Sequence, residues 1–128
     1  MNFNINQLGT PVLKKMILVV LLFTTHASNA GEIIDTKITS LMFDKQYSHQ
    51  VYIKTSKQHD SGSKADCQNS VWSFVLKLDS EQAKSMYSML LAAHMAGKSV
   101  TLAGTGRCDA HRSHTIEDLR RVELVSGM

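Results

Sequence analysis

Val71-Trp72-Ser73-Phe74-Val75-Leu76-Lys77-Leu78-Asp79-Ser80 opens the stretch that decides the fold; Glu81 to Ala96 and then Gly97-Lys98-Ser99-Val100 complete it. Val71 to Leu78 alternates, with Trp72, Phe74, Leu76 and Leu78 assigned to one buried face, which is the period of a strand. Trp72 therefore reads as core. Asp79 or Ser80 offers a side-chain oxygen to the free N–H groups of a helix start, and Gln82 follows Asp79 at capping-box spacing. The helix is predicted over Glu81 to Ala96. Gly97 supplies its left-handed stop, and Lys98 places positive charge at the negative end of the helix dipole. Val100 to Gly104 then reads as another short strand.

On the N-terminal side, Ile33 to Phe43 is β-branched and partly alternating, with Ile34, Thr36, Ile38 and Met42 assigned to one face. Asp44-Lys45-Gln46 predicts a turn. Tyr47 to Thr55 alternates, with His49, Val51 and Ile53 on one face and Gln50, Tyr52 and Lys54 on the other, so the two runs predict a hairpin. Ser56 to Asn69 is polar, contains Ser61-Gly62-Ser63 and reads as a long loop. On the C-terminal side, Thr105 to Thr115 is a loop, Ile116-Glu117-Asp118 a helical turn, and Leu119 to Val125 a last strand. The order strand, strand, strand, helix, strand, strand is that of an OB-fold, a five-stranded Greek-key barrel. An α+β sandwich with one helix on an antiparallel sheet has the same composition. The helix position favours the all-β barrel with one helix.

Lys14 and Lys15 precede the apolar run Met16-Ile17-Leu18-Val19-Val20-Leu21-Leu22-Phe23, and a small, polar segment then ends Ser28-Asn29-Ala30. This is the pattern of a cleavable export signal with cleavage after Ala30. Its apolar run covers roughly eight residues against the ~20 that cross a bilayer, so no membrane span is expected. Residues 1–30 are thus assigned to a signal peptide and 31–128 to one domain, located in the periplasm or outside the cell.

The chain holds two cysteines, Cys67 and Cys108. An even count in a small exported domain predicts one disulfide in preference to a metal site or a thiol nucleophile. Such a bridge closes a loop of about 42 residues and is worth roughly 4 kcal/mol in the chain-entropy model. The formal charge of +3 (14 Lys and Arg, 11 Asp and Glu) includes Lys14 and Lys15 of the leader. The remaining domain is nearly neutral, which gives no electrostatic reason to expect nucleic acid.

Four runs carry a family likeness: Cys67-Gln68-Asn69-Ser70-Val71-Trp72-Ser73-Phe74, Ala83 to Ala93, Gly97-Lys98-Ser99-Val100-Thr101-Leu102, and Gly104-Thr105-Gly106-Arg107-Cys108. Together they resemble small exported bacterial proteins similar to the B subunit of subtilase cytotoxin and its relatives among the pertussis-like toxins. The resemblance covers most of the domain. It implies an OB-fold, assembly as a homo-oligomer (a pentamer in the toxins), binding of sialylated host-cell glycans, and in the toxins a secreted catalytic subunit as partner.

The candidate ligand-binding residues are Tyr47, His49 and Tyr52, because OB-folds present ligands across their second and third strands and aromatic rings stack on the apolar faces of sugars. The alternative is ordinary strand residues covering the core. Met86, Met89, Ala92 and Ala93 are the candidate oligomer interface, since the helix is apolar over more than one stripe. Plugging a barrel end explains the same pattern. Cys108-Asp109-Ala110-His111-Arg112-Ser113-His114 has ligand-type residues at close steps, yet a disulfide would remove the thiolate that zinc needs, and no metal or other cofactor is expected.

No Gly-x-Ser-x-Gly elbow is present. Gly104-Thr105-Gly106 lacks the rest of a dinucleotide fingerprint, and no catalytic residue is nameable. The reading is therefore an exported, non-catalytic binding module with a glycan ligand. Its rivals are a periplasmic protein of the same fold that binds a small ligand, peptide or protein, and, further off, a small secreted enzyme.

Overall fold

In the computed structural model of the chain, residues 29–60, 65–67 and 71–126 are described; the expected leader as far as residue 28 and the Ser61-Gly62-Ser63 part of the expected loop lie outside them. β1 (Glu32–Phe43) is long enough to serve two neighbours. Its first part pairs with β4 (Ser99–Gly104), Glu32 opposite Ala103 and Lys37 opposite Ser99. Its second part pairs with β2 (Gln50–Thr55), Leu41 opposite Ile53 and Phe43 opposite Val51. β3 (Phe74–Lys77) adds to β2, and β5 (Leu119–Leu124) adds to β4, giving the order β3-β2-β1-β4-β5 with every pair antiparallel. The two outer edges then meet. Val75 N–H donates to the Glu117 carbonyl at 3.0 Å, and Val75 forms a parallel bridge with Asp118. An antiparallel sheet curled to a parallel β3–β5 seam, with a helix between β3 and β4, is an OB-like barrel.

Three local expectations are corrected. Register shifts between Ile33 and Thr36 and between Ile38 and Ser40 interrupt β1, and Asp35 adopts φ 50 inside the first of them. A bulge inserts a residue and resets the alternation. Ile33, Thr36 and Ile38 are accordingly buried, while Ile34 is 53 % exposed and Met42 packs beside Tyr52 on the other side of the sheet. Strand β3 begins at Phe74 rather than Val71, so Phe74 and Leu76 enter the barrel while Trp72 packs outside it. Ile116-Glu117-Asp118 is no helical turn; Asp118 is spent on the barrel seam.

The helix α1 (Glu81–Ala96) resolves the choice of cap: Ser80 Oγ accepts from Ala83 N–H at 3.1 Å, and Gly97 at φ 63 returns its N–H to Ala93 and His94. His94 Nδ1 donates to the Ile38 carbonyl at 2.9 Å, which ties the last helical turn to β1. α1 buries Ala83, Leu90 and Ala93 into the barrel core with Ile33, Val51, Ile53, Phe74 and Leu102. Full burial of Leu90 is worth about 1.5–3 kcal/mol. The exposed pairs Lys84–Glu81 and Arg121–Glu32 are worth at most about 1 kcal/mol each. Core packing therefore outweighs the one helical pair among these, Lys84–Glu81, in holding the helix.

A disulfide joins Cys67, in the β2–β3 connection, to Cys108, in the β4–β5 connection, across 6.2 Å between Cα atoms. It brackets the unit β3–α1–β4. Among the described residues no helix is long and apolar enough to cross a membrane.

Candidate functional site

Strand alternation on β2 sends Val51 and Ile53 into the barrel and Tyr52 outward. Outward here does not mean exposed, for Tyr52 keeps only 2 % of its surface. Its ring is the hub of an aromatic cluster, with Tyr47 at 5.8 Å, Trp72 at 5.7 Å and His111 at 5.5 Å between centroids. Tyr47 also meets His111, at 5.7 Å. Val75, Ile116, Met42 and Ala110 complete the apolar base of the cluster. Offset and edge contacts of this kind add about 0.5–1.5 kcal/mol per pair beyond burial, so the rings hold one another in place.

The β4–β5 connection lies over this face and is pinned from several sides. Gln50 Nε2 donates to the Ala110 carbonyl at 2.6 Å, and the Tyr52 hydroxyl donates to Gln50 Oε1 at 2.9 Å. With that proton committed, His111 Nδ1 is the donor in its 2.9 Å contact with the Tyr52 oxygen. Asp118 accepts from the N–H groups of Ala110 and Asp109 at 3.0 and 3.2 Å, and the Cys67–Cys108 bridge anchors the same loop. Burial first, then the neighbouring Tyr47 and Asp44, pushes the Tyr52 hydroxyl above the usual tyrosine range. A hydroxyl made harder to ionise is a donor and a wall. It is not an activated nucleophile.

Beside this face, where β3 and β5 touch only at the seam, a cleft of about 340 Å³ opens toward the start of α1. Val75, Leu76, Met86 and Leu119 form its apolar side; Lys77, Asp79, Ser80, Gln82, Asp109 and Asp118 supply polar groups. Val75 and Ala110 line the cleft and also pack in the aromatic cluster, so the two are adjacent, although none of the four rings lines the cleft itself. A neighbouring hollow lined by Ser48, His49, Lys77 and Glu81 shares the Asp79-Ser80 corner.

Of the sequence-predicted residues, Tyr47 and Tyr52 come together, with Tyr47 half-buried at the rim and Tyr52 beneath it. His49 goes elsewhere: it is exposed at φ 63, its carbonyl accepts from Leu78 N–H at 2.6 Å, and it lines the hollow. Ala93 is taken by the protein's own core, Met86 packs against that core, Met89 is half-buried and Ala92 is exposed. Trp72 and His111 were missed as site residues. The signal for His111 was its place in the loop between the last two strands, which in OB-folds borders the ligand face. Both cysteine sulfurs are in the bridge, and His114 Nδ1 donates to the Cys108 carbonyl at 2.9 Å; among the described residues no group of three or more His, Cys, Asp or Glu is placed to hold a metal ion.

Comparison with protein-family models gives no match, and neither curated proteins nor solved structures give one.

Proposed function

We propose that this protein is an exported, non-catalytic binding module whose ligand is a carbohydrate taken up at the outer face of β2–β3. The observation that carries the reading is the adjacency, through Val75 and Ala110, of an aromatic cluster holding Tyr47, Trp72 and His111 to a cleft lined by Lys77, Asp79, Gln82 and Asp118. Sugars need both: a ring face for their C–H surface and polar groups for their hydroxyls. The resemblance to toxin B subunits points to the same ligand class and to a homo-oligomer, while the Cys67–Cys108 bridge fits an oxidising compartment.

Assembly is assigned to the outer side of α1, where Met95 is 78 % and Leu91 40 % exposed next to Ala92. Ala93 and Met86, which face the core, do not take part. Sedimentation of the mature protein at tens of micromolar is expected to give an oligomer that Met95→Lys reduces to monomer. A strict monomer in the unsubstituted protein contradicts the assembly.

A glycan array with refolded mature protein tests the ligand. Binding to defined glycans, competed by the free sugar, supports the reading. A blank array with correctly folded protein overturns it in favour of a periplasmic partner protein or peptide.

A further inference from the structure

Glu117 is the single charged residue among the buried side chains of the described chain, and its side chain has no exposed surface. Its Oε1 accepts from Gly31 N–H at 2.8 Å and from Gly106 N–H at 2.9 Å; its Oε2 lies 3.2 Å from the same Gly31 nitrogen and 3.8 Å from His59 Nε2. The His59 side chain is itself nearly enclosed, 3 % exposed, with its ring 4.9 Å from Phe74 between centroids. Gly31 is buried too, and its carbonyl accepts from Gly104 N–H at 2.8 Å, while the preceding Asn29 and Ala30 are exposed. No larger residue fits at Gly31: a Cβ there would overlap Glu117 Oε2 and the His59 ring. One backbone nitrogen, at the first buried residue of the domain, is thus pressed onto the one buried carboxylate.

Burying a carboxylate costs free energy unless opposite charge and hydrogen bonds compensate it. A peptide N–H at Gly31 gives one donor and no charge. An α-ammonium at the same atom gives three donors and a full positive charge. Gly31 is also the residue that the export signal would expose. Hydrolysis of the Ala30–Gly31 bond adds hydroxide from water to the Ala30 carbonyl carbon, returns the water's proton to the Gly31 nitrogen, and the resulting amine takes a second proton from solvent.

Resting on the export reading for its cleavage point, we infer that maturation places the new Gly31 α-ammonium on buried Glu117, an ion pair that the uncleaved chain lacks. The domain then acquires its last stabilising contact only after the leader is removed. The burial that pushes the Glu117 carboxyl above its usual range, against the hydrogen bonds from Gly31 and Gly106, is offset by the ammonium.

The test compares the chain from Gly31 with a free amine, released from a fusion without extra residues, against the same chain acetylated at Gly31, each with and without Glu117→Gln. Acetylation preserves the N–H and removes the charge. At neutral pH it is expected to raise the unfolding equilibrium constant about a hundredfold with Glu117 present, the lower end of the cost of breaking a buried pair. With Glu117→Gln the change is expected to be under threefold. Equal effects in both backgrounds, or none, overturn the pair.

If Glu117→Gln does not fold, the titration of the Gly31 amine by NMR decides. A value clearly above the ordinary α-amino figure of about 8 supports the pair, and one at or below it overturns it. Intact mass of the protein recovered from the periplasm or medium supplies the other arm. Cleavage at another bond overturns the ion pair but leaves export standing; an unprocessed cytoplasmic protein overturns both.

Discussion

Replacing Cys108 by serine is expected to lower the stability of the mature domain by about 4 kcal/mol, read as a lower denaturant midpoint, with a steeper slope because the unfolded chain loses its cross-link and expands. The two bridged positions are 41 residues apart, and loop-closure entropy over that length gives the estimate. Domains of this kind have a total stability of ~5–15 kcal/mol, so the loss is a large share of the whole. The bridge also anchors the loop that carries Ala110 and His111 onto Tyr52. Losing it should therefore free the cover of the aromatic face before the barrel unfolds, visible as a red shift of Trp72 emission below the main transition. An unchanged midpoint in the serine variant would show that the bridge does not form or does not constrain the chain.

Gly104→Ala is expected to cost about 3–5 kcal/mol, the range for breaking a buried charged contact, although it adds one methyl group. The new Cβ would fall on the Glu117 side chain, which is fully enclosed and held by Gly31 and Gly106. To make room the carboxylate must leave those N–H groups, in a barrel wall where Gly104 itself bonds to Gly31. Gly97→Ala is the control. Its Cβ meets nothing, so only the left-handed backbone opposes it, at about 1–2 kcal/mol.

Glu117 also gives a pH signature. With Gly31 as an amide, burial raises the folded-state carboxyl above its unfolded value, so the folded chain binds the proton more tightly. Stability is then greatest below the ordinary carboxylate range and falls as pH rises through the raised value. His59 and Asp118 face the same group, the first within 3.8 Å and the second raising the carboxyl further by its charge. Glu117→Gln should remove most of this slope in the acetylated chain; an unchanged slope would place its origin elsewhere.

Local signals were legible wherever local chemistry decides the outcome. Ser80, Gly97 and the apolar residues of α1 mark the bounds of that helix within its own sequence, and the strand order was readable from turns and spacing. β1 was not, because Asp35 takes a left-handed conformation that serves the bend of the barrel wall, and two-residue alternation carries no trace of it. Trp72 was assigned to the core because it shares a period with Phe74, but pairing with β2 starts only at Phe74.

At the candidate site, the outward direction of Tyr52 was readable and its burial was not. What covers Tyr52 is a loop about sixty residues away, held there by Asp118, Gln50 and a disulfide. Glu117 shows the same limit most sharply. Its neighbours in sequence read as a helical turn, and only closure of the barrel brings Gly31, Gly106 and His59 around it.

Trp72 is the sole tryptophan of the chain and sits in the aromatic cluster at the proposed ligand face. Titrating mature protein with a glycan that scores on the array, while following Trp72 emission, tests most directly whether that face takes up carbohydrate. The expected result is a saturable shift whose midpoint matches the binding curve and which Tyr47→Ala weakens at least tenfold. Tight glycan binding with Trp72 emission unmoved, and with Tyr47→Ala indistinguishable from the unsubstituted protein, would contradict it.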